Sequence, residues 1–99
     1  MRLQRDSKVI LEFLRSLPKR KVTTYKALAE KFNMHPRAVA KILASNKDLE
    51  SYPCYKVVHA DGSIGGYVAG TDEKIKRLQA DQISVINNKI PRNFIIEKL

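Results

Sequence analysis

The chain is poor in several of the residues that usually announce a chemistry. Its 99 residues include a single cysteine, which excludes an internal disulfide and a cysteine-rich zinc site. No apolar run approaches the roughly 20 residues of a membrane-spanning helix, so no membrane partner is expected. The stretch Met1–Asp6 is charged and leads into an amphipathic segment, not into the apolar core of a secretion signal. A cytoplasmic, nucleoid-associated or nuclear location is therefore expected. Only four glycines occur, all between Gly62 and Gly70, and their spacing makes no phosphate cradle. Neither a metal nor a nucleotide cofactor is expected. Repeats, low-complexity tracts and linkers are missing too, so residues 1–99 are read as one domain, and as a monomer.

What is abundant is positive charge. Nineteen Lys and Arg stand against ten Asp and Glu, for a net charge of +9 and an isoelectric point near 9.9. A surplus of that size on a small domain favours a polyanionic partner, because neutralising phosphates releases counterions. Many small basic proteins bind no nucleic acid, so charge alone does not decide the matter. The hydrophobic fraction of 43% is enough for one core.

Apolar periodicity predicts a first helix over 7–17, capped by Asp6 or Ser7, with Val9, Ile10, Phe13, Leu14 and Leu17 on one face and Pro18 ending it. Lys19-Arg20-Lys21 then reads as an exposed basic turn. Val22-Thr23-Thr24-Tyr25 is expected to open a second helix, with Thr23 or Thr24 as N-cap, continuing through Phe32. A third follows from Pro36 to Ala44, with proline in the first turn. Two short alanine-rich helices around a tight turn make a helix-turn-helix pattern, or a pair packed for stability alone. Arg37 lies where a cation opposes the helix dipole, and contact with DNA would explain it. Thr71 is expected to cap a fourth helix that buries Ile75, Leu78 and Ala80. Asp61-Gly62 and Asn87-Asn88 read as turns, and the tail as two short strands or an extended arm. The fold class is thus mainly α, a winged-helix-like helix-turn-helix domain with short extended segments around the cysteine loop and tail.

The cysteine sits in Tyr52-Pro53-Cys54-Tyr55-Lys56-Val57-Val58. Pro53 stiffens the approach and the valines lead into a core. A thiol held rigidly at the mouth of a core suits a nucleophile, although a lone cysteine is more often a small buried hydrophobe.

Together these motifs carry a resemblance. Val22-Thr23-Thr24-Tyr25, Arg37-Ala38-Val39, Asn46, Pro53–Val58 and Gly62-Ser63-Ile64-Gly65-Gly66-Tyr67 occur in the order and near the spacing of the C-terminal domain of O6-alkylguanine-DNA alkyltransferases. The chain also resembles the shorter alkyltransferase-like proteins, and the likeness runs from about Ser7 to Asp81. It implies DNA repair on double-stranded DNA containing alkylated guanine, bound from the minor groove. Cys54 would take the alkyl group irreversibly as a thioether. Tyr25 would crowd the target phosphate, and Arg37, with Ala38 beside it on the recognition helix, would fill the gap left by the flipped base. Asn46 would link that helix to the active-site loop, Lys56 would lie among the DNA contacts, and Gly65, Gly66, Tyr67 and Val68 would line the base pocket.

The departures are as specific. The family motif is Pro-Cys-His-Arg-Val, and here the His is Tyr55 and the Arg is Lys56. In the family the His, through a water and oriented by a Glu, draws the proton from the thiol. That Glu falls on Asp81. A phenol with a pKa of about 10 is a poor base at neutral pH. Three remedies are open: Lys56 or a helix N-terminus acting on the thiol, Tyr55 passing a proton to Asp81, or His59 acting as base. Leu49 stands where proline is common. The 99 residues are read as lacking the N-terminal domain of full-length members, as alkyltransferase-like proteins do, yet they keep the cysteine that those usually replace with tryptophan. Two further readings stay open: a non-catalytic lesion-recognition module that recruits a repair-protein partner, and a plain helix-turn-helix binder of the major groove.

Overall fold

A computed structural model describes residues 2–67 and 69–99, with side chains from Lys8 onward. Val68, expected in the base pocket, lies outside the described residues. Four helices, α1 (Arg2–Leu14), α2 (Tyr25–Lys31), α3 (Pro36–Ala44) and α4 (Thr71–Ala80), surround three short strands, β1 (Val22–Thr24), β2 (Val57–Val58) and β3 (Ile95–Ile96). The sheet order is β2-β1-β3, with both pairings parallel. Val22, Thr23 and Thr24 are therefore the central strand, not the start of a helix. Their β-branched side chains suit a pleated, buried position. Thr24 ends that strand and caps α2, its hydroxyl accepting from the Ala27 amide at 2.9 Å.

Residue chemistry sets the other boundaries. Asn33, at φ 53°, takes the left-handed position after α2. The Met34 amide then donates back to the Ala29 carbonyl at 2.9 Å and the Asn33 amide to Glu30 at 3.4 Å, closing the turn into α3. His35 caps α3 through Nδ1, which accepts from the Arg37 amide at 3.1 Å, and Pro36 follows as the first helical residue. The end of α4 repeats the device, with Gln82 left-handed at φ 62° and the Ile83 amide donating to Leu78 at 3.0 Å.

Three boundaries differ from expectation. Helix α1 begins at Arg2, so Asp6 and Ser7 lie inside it and not at its start, and it loosens into a turn after Leu14. Gly70 is the N-cap of α4 and Thr71 its first residue. Ala80 is exposed, and the buried face of α4 carries Lys74 with Leu78. Val9 is 48% exposed, one position off the face formed by Ile10 and Leu14.

Two apolar clusters meet at the sheet. One joins α1, α2 and α3 around Ile10, Leu14, Leu28, Val39 and Leu43 and includes Cys54 and Val57. The other holds Val22, Val58, Ile64, Leu78, Ile83 and Ile90. Each fully buried aliphatic contributes about 1.5–3 kcal/mol. The tail braces the loop between β2 and α4: the Ile90 amide donates to the Gly62 carbonyl at 2.8 Å and the Ile64 amide to Asn88 at 3.1 Å.

Gly62 is the tight point of that brace. Its φ is +92° and a Cβ there would sit 2.9 Å from the Ile90 carbonyl oxygen. Gly62→Ala should cost about 1–3 kcal/mol and lower Tm by at least about 5 °C. Gly66→Ala, whose Cβ would meet nothing within 4 Å, should change stability by no more than about 0.5 kcal/mol. Thermal unfolding by circular dichroism checks both.

Candidate active site and nucleic-acid interface

Cys54 begins a single 3-10 turn (Cys54–Lys56) that runs straight into β2. The turn places the thiol, 4% exposed, on the floor of a cavity of about 500 Å³. The register Thr24↔Val58 sets the start of α2 beside the end of β2. Tyr25 and His59 therefore stand together on the cavity wall, ring centroids 5.0 Å apart. Helix α3 supplies Arg37 at the mouth, and Gly66 and Tyr67 close the opposite side. Gly65 sits just behind, where an added Cβ would lie 2.8 Å from His59 Nε2. The Tyr67 hydroxyl is buried, with no hydrogen-bond partner among the described residues. The fold thus gathers Tyr25, Arg37, Cys54 and Tyr67 from four separate segments around one cavity. Ala38 is half-buried on α3 and is not among the residues lining it.

Asn46 ties the cysteine to the helix-turn-helix. It is buried just past α3, and its Nδ2 donates to the Tyr52 carbonyl at 3.0 Å and to Cys54 Sγ at 3.4 Å. Its Oδ1 accepts from the Asp48 amide at 3.0 Å. Burial pushes the Cys54 thiol above its ordinary pKa, and the Asn46 hydrogen bond, Lys74 and Arg77 oppose that shift. Burial also raises Tyr25 and Tyr67, with the cysteine adding to both. Both phenols stay neutral beside the thiol.

Tyr55, Lys56 and Asp81 form a separate cluster. The Tyr55 hydroxyl donates to Asp81 Oδ2 at 3.5 Å, Lys56 Nζ stands 3.3 Å from the same oxygen, and the Arg20 amide donates to Oδ1 at 3.2 Å. Tyr55 lines a groove with Asp81 and Arg77, not the cavity that Cys54 lines. Burial first, then the Asp81 charge, push the phenol up to about 12. Such a group accepts no proton near neutrality. Lys56 is corrected as a DNA contact: it is 5% exposed, and its ammonium also donates to the Pro18 carbonyl at 2.8 Å, bracing the turn after α1. Nor is Lys56 the cation that acts on the thiol; Lys74 and Arg77 are. Both were missed in the sequence. Lys74 could have been found there, since it interrupts the apolar helical face formed with Ile75 and Leu78.

Tyr55→Phe should leave the rate at which iodoacetamide alkylates Cys54 within about twofold at any pH, whereas removal of a working base costs roughly 10²–10⁴-fold. Asn46→Ala should slow the same reaction at neutral pH, because it removes a donor to Sγ, and should cost about 1–3 kcal/mol by removing the hydrogen bonds that tie the end of α3 to the cysteine loop.

Comparisons with known proteins point to one family. Residues 6–83 match the family model for the 6-O-methylguanine DNA methyltransferase DNA-binding domain. A bifunctional methyltransferase/endonuclease of Picrophilus torridus is 43% identical over 83 residues, which is 82% of this chain and 28% of that protein. The crystal structure of O6-methylguanine-DNA methyltransferase from Pyrococcus kodakaraensis superposes with a TM-score of 0.73 at 34% identity, covering 79% of this chain and 46% of the other. The fold is also that of S. pombe Atl1, solved with damaged DNA containing O6-carboxymethylguanine. There the TM-score is 0.85 at 19% identity, over 97% and 98% of the two chains. The chain spans between about a quarter and a half of the length of the curated relatives it matches first. With its helix-turn-helix, its cysteine loop and the matched span all coinciding, the chain belongs to the O6-methylguanine DNA methyltransferase DNA-binding domain family.

Proposed function

We propose that this chain repairs duplex DNA by flipping an O6-alkylated guanine into the Cys54 cavity and taking the alkyl group onto the sulfur. The observation that carries the reading is the convergence of a buried thiol, an exposed arginine on the recognition helix and two tyrosines on one cavity large enough for a base. Arg37 would enter from the minor groove and fill the vacated stack. Exposed Lys26, Lys31 and Lys41 on α2 and α3 would meet phosphates on either side. Tyr25 would press on the target nucleotide, while the open Tyr67 hydroxyl would find its partner on the flipped base.

The step balances simply. Cys54 loses its proton, Sγ forms a bond to the alkyl carbon, and the C–O6 bond breaks with its electron pair left on the guanine. The guanine regains a proton, and Cys54 keeps a thioether. One protein acts once.

A second reading is favoured by one observation: Tyr55 cannot supply the proton relay of the family histidine. The chain would then recognise the lesion without transfer and pass it to a repair-protein partner. The endonuclease joined to the Picrophilus relative supports a nuclease as that partner.

The two readings separate in one assay. A duplex carrying a single O6-methylguanine is incubated with excess protein and digested to nucleosides. Transfer predicts conversion to guanine, up to one equivalent per protein, and none with Cys54→Ala, which should still bind within about threefold. Conversion by Cys54→Ala, or none by the native chain, contradicts transfer. Arg37→Ala should weaken lesion binding by about 1–3 kcal/mol with an unchanged Tm, because the side chain is exposed. A large fall in Tm would make Arg37 structural.

A further inference from the structure

A base lodged above Cys54 leaves its sugar and phosphates at the mouth of the cavity, because the duplex backbone stays outside. His59 stands at that mouth. It lines the cavity with Tyr25 and Arg37, yet it is exposed, whereas Cys54 on the floor is buried. Its backbone is held at both polar groups: the amide donates to the Ser63 carbonyl at 2.9 Å, and the carbonyl accepts from the Gly62 amide at 2.9 Å. Its ring leans on Tyr25, with centroids 5.0 Å apart and planes at 41°. A side chain set this way has little freedom left to lose when a ligand arrives.

The polar ends of the two rings converge. A Cβ built on Gly65 would lie 2.8 Å from His59 Nε2 and 3.5 Å from the Tyr25 hydroxyl oxygen, so both atoms flank the same point. Gly65, left-handed at φ +72°, leaves the imidazole the room that any other residue would take. Among the described residues neither polar end has a hydrogen-bond or ion-pair partner, whereas the ring of His35 caps α3 through Nδ1. Asp61, the carboxylate of the same turn, accepts instead from the Ser63 amide at 2.9 Å and the Ser63 hydroxyl at 2.7 Å. Two adjacent donors beside an arginine suit an anion.

We propose that His59 is a DNA-binding residue whose Nε2–H, together with the Tyr25 hydroxyl, grips one phosphate flanking the flipped nucleotide. The grip holds the backbone at the mouth while the base occupies the cavity, so it acts on the flipped state and not on the stacked one. The inference deepens the flipping reading, with or without transfer, and rests on it.

The test measures binding of the full chain carrying Cys54→Ala, so that nothing is transferred, to a duplex with one O6-methylguanine. Adding His59→Phe keeps a ring against Tyr25 and removes the donor. It should weaken lesion binding about tenfold, the worth of one hydrogen bond to a charged group, and leave binding to the unmodified duplex within about twofold. Tm should not move, because the side chain is exposed. An uncharged methylphosphonate placed in turn on each side of the lesion should cost the chain with His59 about tenfold at one of the two positions, and the His59→Phe chain about threefold or less there. Lesion binding unchanged by His59→Phe overturns the proposal, as does an equal methylphosphonate cost in both chains. Slower alkylation of Cys54 by iodoacetamide on adding His59→Phe to the native chain, beside unchanged lesion binding, would overturn it too and make His59 a base for the thiol. If the chain with His59 shows no preference for the lesion, flipping fails and the contact with it. If that preference is present and His59→Phe keeps it in full, only the contact fails.

Discussion

The parallel pairing of β1 with β2 is the constraint on which the site depends. Only two register contacts define it, Thr23 with Val57 and Thr24 with Val58. Yet Thr24 ends β1 and caps α2 in the same residue, so the strand register also sets where Tyr25 stands. On the other strand, the turn that starts at Cys54 runs into β2 without a spacer. A slip of one residue in so short a pair would exchange the faces of both strands and separate Tyr25 from the thiol. Val22, Val57 and Val58 are completely buried and hold the pairing from both clusters.

Around that strand pair, polar side chains fasten loops that have little apolar surface of their own. Asn46 holds the cysteine loop from one side, Lys56 and Asp81 fix the turn behind it, and Lys74 gathers β2 and the glycine loop. Each is buried or nearly so, and each is answered by carbonyls or an opposite charge, as buried polar groups require. The Tyr55–Asp81–Lys56 cluster is therefore a structural clasp built at the positions where the family keeps its proton relay.

Much of this was legible in the sequence because it rests on strong local signals. Pro36, Asn33 and the threonines before Tyr25 marked helix ends, and the alanines marked the close pairing of α2 and α3. The motif order then placed Cys54, Asn46, Tyr25, Arg37 and Tyr67 in one scheme, and the chain brings them to neighbouring positions. What was hidden is non-local. The extended segments of the cysteine loop and tail were expected, but a strand of three residues is too short to show an alternating pattern, so the central strand β1 that joins them was read as a helix start. Lys56 resembled a surface cation because nothing local reveals that Pro18 and Asp81 wait for it. The start of α1 was misplaced because Asp6 and Ser7 are residue types that favour a cap, yet they lie inside the helix.

The resulting account is of a small basic domain in which a DNA-reading helix and a buried thiol face one cavity. Its central claim is covalent, so mass decides it most directly. The intact protein should gain one methylene after incubation with a duplex containing O6-methylguanine, and the gain should map to the peptide holding Cys54. An unchanged mass beside tight, lesion-selective binding would contradict transfer and leave Cys54 as part of a recognition pocket.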